Sequence, residues 1–247
     1  MIKFVAKTDV GKQRVNNEDS YLVKEFPEQN VSVYIVADGL GGYASGEVAS
    51  SILTTTMSQY IEEHIKDLCV YDDEKVENVM LNALKYANDE IYELEKTDAK
   101  YKGMGTTVVT VMDANNTIYY LSVGDSRMYY IDEKMVNMEQ ITVDDTYVNE
   151  LVKTNIIDAK EAENHPQKHV LTKAVGVLKK LNVGVNILDK KDGYLLLCTD
   201  GMTNMLDKKE VLTIFKKSKF EQIADKLVAK SNEKGGADNI TVIVVKL

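Results

Sequence analysis

Four aspartates stand where apolar, strand-like runs begin or end. Residues 33–37 (VYIVA) lead into Asp38, residues 119–124 (YYLSVG) into Asp125, and residues 195–199 (LLLCT) into Asp200. Asp238 precedes the run 240–245, ITVIVV. Strand ends drawn from one core can meet at one edge, so carboxylates this far apart in sequence can share a pocket. Two of them ~4 Å apart repel by about 4 kcal/mol at an effective dielectric of 20, and a proton or a cation must relieve the repulsion. An all-oxygen set with neither Cys nor His beside it suits hard cations such as Mg2+ or Mn2+. The chemistry indicated is metal-assisted.

Arginine is scarce. Of 30 basic residues only Arg14 and Arg127 are arginines. Arg14 stands ahead of Asn17-Glu18-Asp19, and Arg127 follows Asp125-Ser126. A guanidinium grips phosphate or carboxylate through paired bonds that lysine cannot form. We read Arg14 as an anion-binding group and Arg127 as half of a structural ion pair. Asp-Gly is also a hairpin signal, and Asp192-Gly193 is read as such a turn. Asp38-Gly39-Leu40-Gly41-Gly42 differs, because a helical pattern follows it, with Ser45 or Ser50 as candidate caps. A strand–glycine–helix junction leaves room for an ion or a phosphate. Asp200-Gly201 likewise runs towards a helical pattern over 202–215, and Gly235-Gly236 lets the backbone beside Asp238-Asn239 approach something closely.

These residues need a scaffold. Strand patterns rich in Val, Ile, Tyr and Thr cover 2–8, 19–24, 31–37, 104–113, 117–124, 127–132, 181–188, 193–199 and 240–246. Amphipathic helical spacing covers 46–66, 75–95 and a stretch near 220–230. Strands in clusters joined by short turns favour antiparallel sheets, and helices with a single apolar stripe must each cover a sheet face. The expected fold is α+β, two packed antiparallel sheets with helices outside. No linker composition or internal repeat divides residues 1–247, so a single domain is expected. The polar segment 144–175 reads as a flap over one end of the sheets, with an Asp158/Glu161 capping box on its second helix and Pro166 as its stop.

Bulk properties narrow the function. A net charge of −9 argues against a general nucleic-acid binder. No apolar run approaches membrane-spanning length, and the N-terminus lacks a signal-peptide pattern, so a cytoplasmic protein is expected. Cys69 and Cys198, the two cysteines, make neither a disulfide framework nor a zinc site, and Cys198 is read as a buried thiol.

Taken in order, the motifs resemble those of the metal-dependent serine/threonine protein phosphatases of type 2C, the PPM class, in its compact bacterial form. They run from Thr8-Asp9-Val10-Gly11, Arg14 and Asn17-Glu18-Asp19 through Val36-Ala37-Asp38-Gly39-Leu40-Gly41-Gly42 with Gly46-Glu47. Gly103-Met104-Gly105-Thr106-Thr107, Gly124-Asp125-Ser126-Arg127, His165-Pro166-Gln167, Thr199-Asp200-Gly201 and Asp238-Asn239-Ile240-Thr241 complete the set. The resemblance implies a four-layer α-β-β-α sandwich with a metal site at one end. It implies two divalent ions, Mn2+ or Mg2+, with Asp38 bridging them, the Gly39 carbonyl on one, and Asp200 and Asp238 on the other. Asp19 and Glu18 would hold metal-bound waters, Asp125 with Asp200 would bind a third, weaker ion, and Arg14 would grip the substrate phosphate. A hydroxide between the two ions would attack phosphorus directly, with no covalent enzyme intermediate. The implied partners are phosphorylated proteins, the products of a bacterial serine/threonine kinase, with a monomer as the default state.

Leu40 departs from the family pattern, since eukaryotic members often carry there the histidine proposed as general acid. His64, His165 and His169 are weak substitutes by position. A non-catalytic descendant serving as a binding or scaffold module is the main alternative; it would usually have lost a ligand carboxylate, and Asp38, Asp200 and Asp238 all stand. A generic acidic metal-binding protein is the other, and it leaves Arg14 without a role.

Overall fold

The computed structural model describes residues 3–41, 45–69 and 72–247. Gly42 and the side chain of Cys69, both part of the sequence reading, lie outside the described residues. One antiparallel sheet has the order β1 (Phe4–Asp9), β11 (Ile240–Lys246), β10 (Gly193–Cys198), β7 (Arg127–Asp132) and β8 (Met138–Gln140). The other runs β2 (Asp19–Phe26), β3 (Val31–Leu40), β5 (Val108–Ala114), β6 (Thr117–Val123) and β9 (Asn186–Asp189), with the two-residue β4 (Gly105–Thr106) against the end of β3.

Side-chain alternation turns these sheets into layers. Along β3, Val33, Ile35 and Ala37 enter an outer core beneath α1 (Ser45–His64) and α2 (Asp73–Glu95). Tyr34 and Val36, on the other face, meet Leu195, Leu197, Ile243 and Val245 in a core between the sheets. Leu196, Cys198, Val242 and Val244 face outward into a third core, closed by α6 (Lys208–Lys217) and α7 (Ile223–Glu233). Three stacked cores give the four-layer α-β-β-α sandwich. Strands buried on both faces carry apolar residues at successive positions, which is why these runs show little alternation in polarity.

Some elements differ from the expected ones. The 104–113 strand is split, because Thr107 leaves the ladder and turns its hydroxyl to the Asp38 amide. The 202–215 helix is two: α5 (Asp200–Thr203), then α6, which restarts under a capping box of Asp207 and Glu210. Of the 181–188 run, only the end is strand. Ser50 does not cap α1; its hydroxyl donates to the Glu18 carbonyl at 2.6 Å. Cys198 is the buried free thiol expected of it.

The flap holds two short helices, α3 (Tyr147–Lys153) and α4 (Ala159–Glu163), and the Asp158/Glu161 capping box is formed. Its neck is zipped: the Tyr147 amide donates to the Val170 carbonyl and Thr172 to Asp145, both at 2.8 Å. The Asp145 amide donates to the Gly124 carbonyl at 2.8 Å, stitching the neck to the turn that carries Asp125. Among the described residues, no helix is long and apolar enough to cross a membrane.

Candidate metal centre and active site

Both sheets contribute to one acidic pocket. Register places Asp19 on β2 directly opposite Asp38 on β3. Cys198 pairs with Val242 across β10 and β11, which brings Asp200, just past β10, to the same edge as Asp238, just before β11. Threonine hydroxyls tie the sheets together there. Thr199 Oγ1 donates to Asp19 Oδ2 at 2.9 Å and accepts from the Thr241 amide at 3.0 Å. Thr107 Oγ1 accepts from the Asp38 amide at 3.0 Å and lies 2.7 Å from Ser126 Oγ, linking Asp38 to the Asp125 turn.

Two glycines are needed for closeness. A Cβ on Gly39 would collide with the Gly46 and Glu18 carbonyl oxygens, and one on Gly201 with the Asn239 carbonyl oxygen. Asn239 pins the Arg14 loop: its Oδ1 accepts from the Glu18 amide at 2.8 Å, and its Nδ2 donates to the Val10 and Asn16 carbonyls at 2.9 Å.

The resulting pocket has a volume of about 250 Å³, and its wall includes Arg14, Glu18, Asp38, Asp125, Asp200 and Asp238. The Gly39 backbone is also on the wall. Asp19 is beneath it, held by Thr199. The four strand-end aspartates and Arg14 are thus brought together, and Asp19 and Glu18 flank them. His169 of the flap lines the pocket beside Leu40, nearer the acids than its place in a polar insertion suggested. His64 is remote, stacked on Tyr60 within α1, and His165 packs near Tyr147 in the flap.

Electrostatics show what the cluster lacks. Burial, helped by Asp200 and Asp238 and opposed by hydrogen bonds with Thr241 and Thr199, leaves Asp19 pushed up to about 7. Asp125 is pushed up to about 7 by burial and by Asp200 and Asp144. Asp38 is raised well above the carboxylate range by burial and four neighbouring aspartates, and Asp200 is raised by burial and Asp238. Asp19 Oδ1 and Asp200 Oδ1 are buried without a hydrogen-bond partner, a costly state for a polar atom.

Among the described residues, no three acidic, His or Cys side chains converge as a finished metal cage. Several instead turn to protein partners, Asp238 to Arg14 at 2.9 Å and Asp200 to Asn204 at 3.0 Å. The donor set nonetheless fits divalent cations: oxygen ligands, crowded negative charge, and buried lone pairs aimed at nothing. Arg127 is fully engaged elsewhere. It grips Asp144 bidentately, with bonds of 2.6–3.0 Å, the structural ion pair expected of it.

A model of the family described as Protein phosphatase 2C matches residues 11–241. The chain belongs to the protein phosphatase 2C family. A serine/threonine phosphatase, stp, of Listeria monocytogenes serotype 4b is 36% identical over 242 residues, covering 97% of this chain and 94% of the relative. Among solved structures, the S. agalactiae serine/threonine phosphatase superposes with a TM-score of 0.89 at 32% identity, covering 99% of each chain. The catalytic domain of the phosphatase PstP, solved in complex with two manganese ions, superposes at 0.81 with 27% identity, covering 99% of this chain and 97% of that one. This phosphatase 2C fold therefore spans nearly the whole chain.

Sequence reasoning missed the residues that hold the acids in place. Thr107, Thr199 and Asn239 lay inside the quoted motifs, but only the meeting of the two sheets shows what their side chains bind.

Proposed function

We propose that this chain is a metal-dependent protein phosphatase that hydrolyses phosphoserine and phosphothreonine in proteins. The observation that carries the reading is the convergence of Asp38, Asp125, Asp200 and Asp238 with Arg14 on one pocket of about 250 Å³. Asp38, the Gly39 carbonyl, Asp200 and Asp238 would hold two divalent ions, and Asp125 with Asp200 a weaker third. Glu18 and Asp19 would orient the water around them. Such ions, Mn2+ or Mg2+, supply positive charge against the phosphoryl oxygens and lower the pKa of water towards neutrality.

The chain's own groups do the rest. Arg14 sits at the rim with its side chain half-exposed and bonded to Asp238. It exchanges that carboxylate for the phosphoryl group, which its fork binds through two parallel bonds. Thr199 keeps Asp19 turned beneath the site, and Thr107 fixes the backbone of Asp38, so the acids stay in register. Leu40 offers no proton to the departing oxygen, and direct attack by water on phosphorus needs no covalent enzyme intermediate. Substrates of this kind are the products of protein serine/threonine kinases, so the enzyme acts beside them in the cytoplasm, as a monomer.

The test uses purified protein, a phosphothreonine peptide and Mn2+. Phosphate release should require the metal and stop in excess chelator, and Asp238→Asn should lose most of it. Release that continues in chelator, or full turnover by Asp238→Asn, would remove the mechanism.

A further inference from the structure

A groove of about 350 Å³ lies between α2 and residues 179–183, and it shares no lining residue with the catalytic pocket. Leu81, Leu84 and Asn88 stand three and four residues apart, so one face of α2 makes one wall. Leu181 and Val183 make the other. Asn88 is buried and fixes one end. Its Oδ1 accepts from the Gly176 amide at 2.8 Å, and its Nδ2 donates to the Leu178 carbonyl at 3.0 Å.

The second wall has no strand beside it. Leu181, Val183 and Val185 turn towards the core while Asn182 and Gly184 are exposed, yet β6 pairs only with residues 186–189. Among the described residues, no main-chain group of residues 179–184 is hydrogen-bonded to another main-chain group. A row of unpaired N–H and C=O groups is a template for a further strand. Charge then selects among strands. Lys85, Lys179 and Lys180 line the groove against a single acid, Asp89. Lys85 takes Asp89 at 2.6 Å, and Lys179 and Lys180 are exposed with no acidic partner among the described residues. In a chain of net charge −9, this is a local positive patch on an apolar groove.

We propose that this groove docks an extended peptide segment of a partner protein, apolar at alternate positions and acidic between them. Its main chain pairs with residues 179–184 as an added strand. Every second side chain drops against Leu81 and Leu84, and its carboxylates meet Lys179 and Lys180. A fatty-acid anion would suit the leucines and lysines but leave the main-chain row unused, which favours a peptide. The inference stands apart from the phosphatase reading. A partner held there leaves the catalytic acids open, and tethering raises its effective concentration at them.

The probes are fluorescent peptides of about ten residues that alternate valine, leucine or phenylalanine with glutamate, titrated onto the whole protein by anisotropy. At least one should bind saturably, and its affinity should fall roughly tenfold in the double variant Lys179→Glu/Lys180→Glu. Both lysines are exposed and unpaired, so that variant should keep the wild-type melting temperature. Serine in place of the apolar residues should abolish binding. N-methylation of every second peptide amide should abolish it along one edge of the strand and spare it along the other, a readout that a purely electrostatic contact does not give. No binding up to about 1 mM, an affinity unchanged in the lysine variant, or equal tolerance of N-methylation on both edges overturns the docking strand. Dodecanoate binding to the lysines where every peptide fails would assign the groove to an amphiphile and overturn it as well. Metal-dependent hydrolysis of p-nitrophenyl phosphate reports on the phosphatase reading separately.

Discussion

The carboxyl of Asp38 is buried among Asp19, Asp125, Asp200 and Asp238, and nothing in the fold requires an acid there. Its neighbours on β3 are apolar core residues, and its backbone is satisfied by Thr106 and Thr107. Such a residue is a stability liability kept for function. Asp38→Asn removes a buried acid while keeping its shape. The metal-free variant should melt a few degrees higher, since about 1 kcal/mol moves the midpoint by about 2–4 °C in a chain of this size. Its turnover with Mn2+ should fall by roughly a hundredfold or more, the upper end of what even outer-sphere changes cost a metal site. Calorimetry in EDTA and a phosphate-release assay read the two effects separately. Arg14 behaves differently, because its bond to Asp238 is at the rim. Arg14→Ala should lose about 1.5–3 kcal/mol of charge-assisted bonding to the phosphoryl group, a ten- to hundredfold drop in kcat/KM. Arg14→Lys should fall between, keeping the charge and losing the fork. Equal kinetics for Arg14→Ala and wild type would take Arg14 out of the site.

At the scale of elements, the flap neck is the joint that matters. Asp144 accepts from Arg127, from Gln140 at 2.8 Å and, through its carbonyl, from Asn149 at 2.9 Å, and its side chain is 8% exposed. Asp144→Ala strands the Arg127 charge on β7, so unfolding in urea with chelator present should show a loss of about 3 kcal/mol. A loss below about 1 kcal/mol would mean the pair is solvated, as surface pairs are. This joint also shows where sequence reading stops. The strands that bury both faces were legible from their Val, Ile and Leu runs, and α1 and α2 from their spacing. Leu181, Val183 and Val185 alternate like a strand, yet they pack as an irregular segment against the core under α2, because β6 pairs only with residues 186–189. Periodicity records which side chains turn inward; it does not record whether a partner strand is there. The aspartates were legible because a carboxylate flush against an apolar run is out of place locally. Thr199 and Asn239 were not, because their partners, Asp19 and the Glu18 amide, are more than 170 residues away in sequence.

At the scale of the whole molecule, the acids belong to both sheets, so their mutual repulsion works against the sandwich itself. Asp19 and Asp38 come from one sheet, and Asp200 and Asp238 flank strands of the other. Asp19 and Asp125 are pushed up to about 7 in the fold from an ordinary value of 3.8. Between those limits the folded chain binds more protons than the unfolded one, so stability falls as pH rises. The contribution is fully present below about 4 and lost once pH passes about 7. In EDTA the protein should therefore melt at a lower temperature at pH 8 than at pH 5.5. Divalent ions compete with these protons, so metal binding releases them and gains strength with pH. Mn2+ at about 100 times its dissociation constant adds about 2.7 kcal/mol, a rise of roughly 5–10 °C. At one fixed Mn2+ concentration the rise should be larger at pH 8 than at pH 5.5. Identical melting temperatures in EDTA at the two pH values would mean that the carboxylates are not buried against one another, and the two sheets would then meet without the strain that a bound cation relieves.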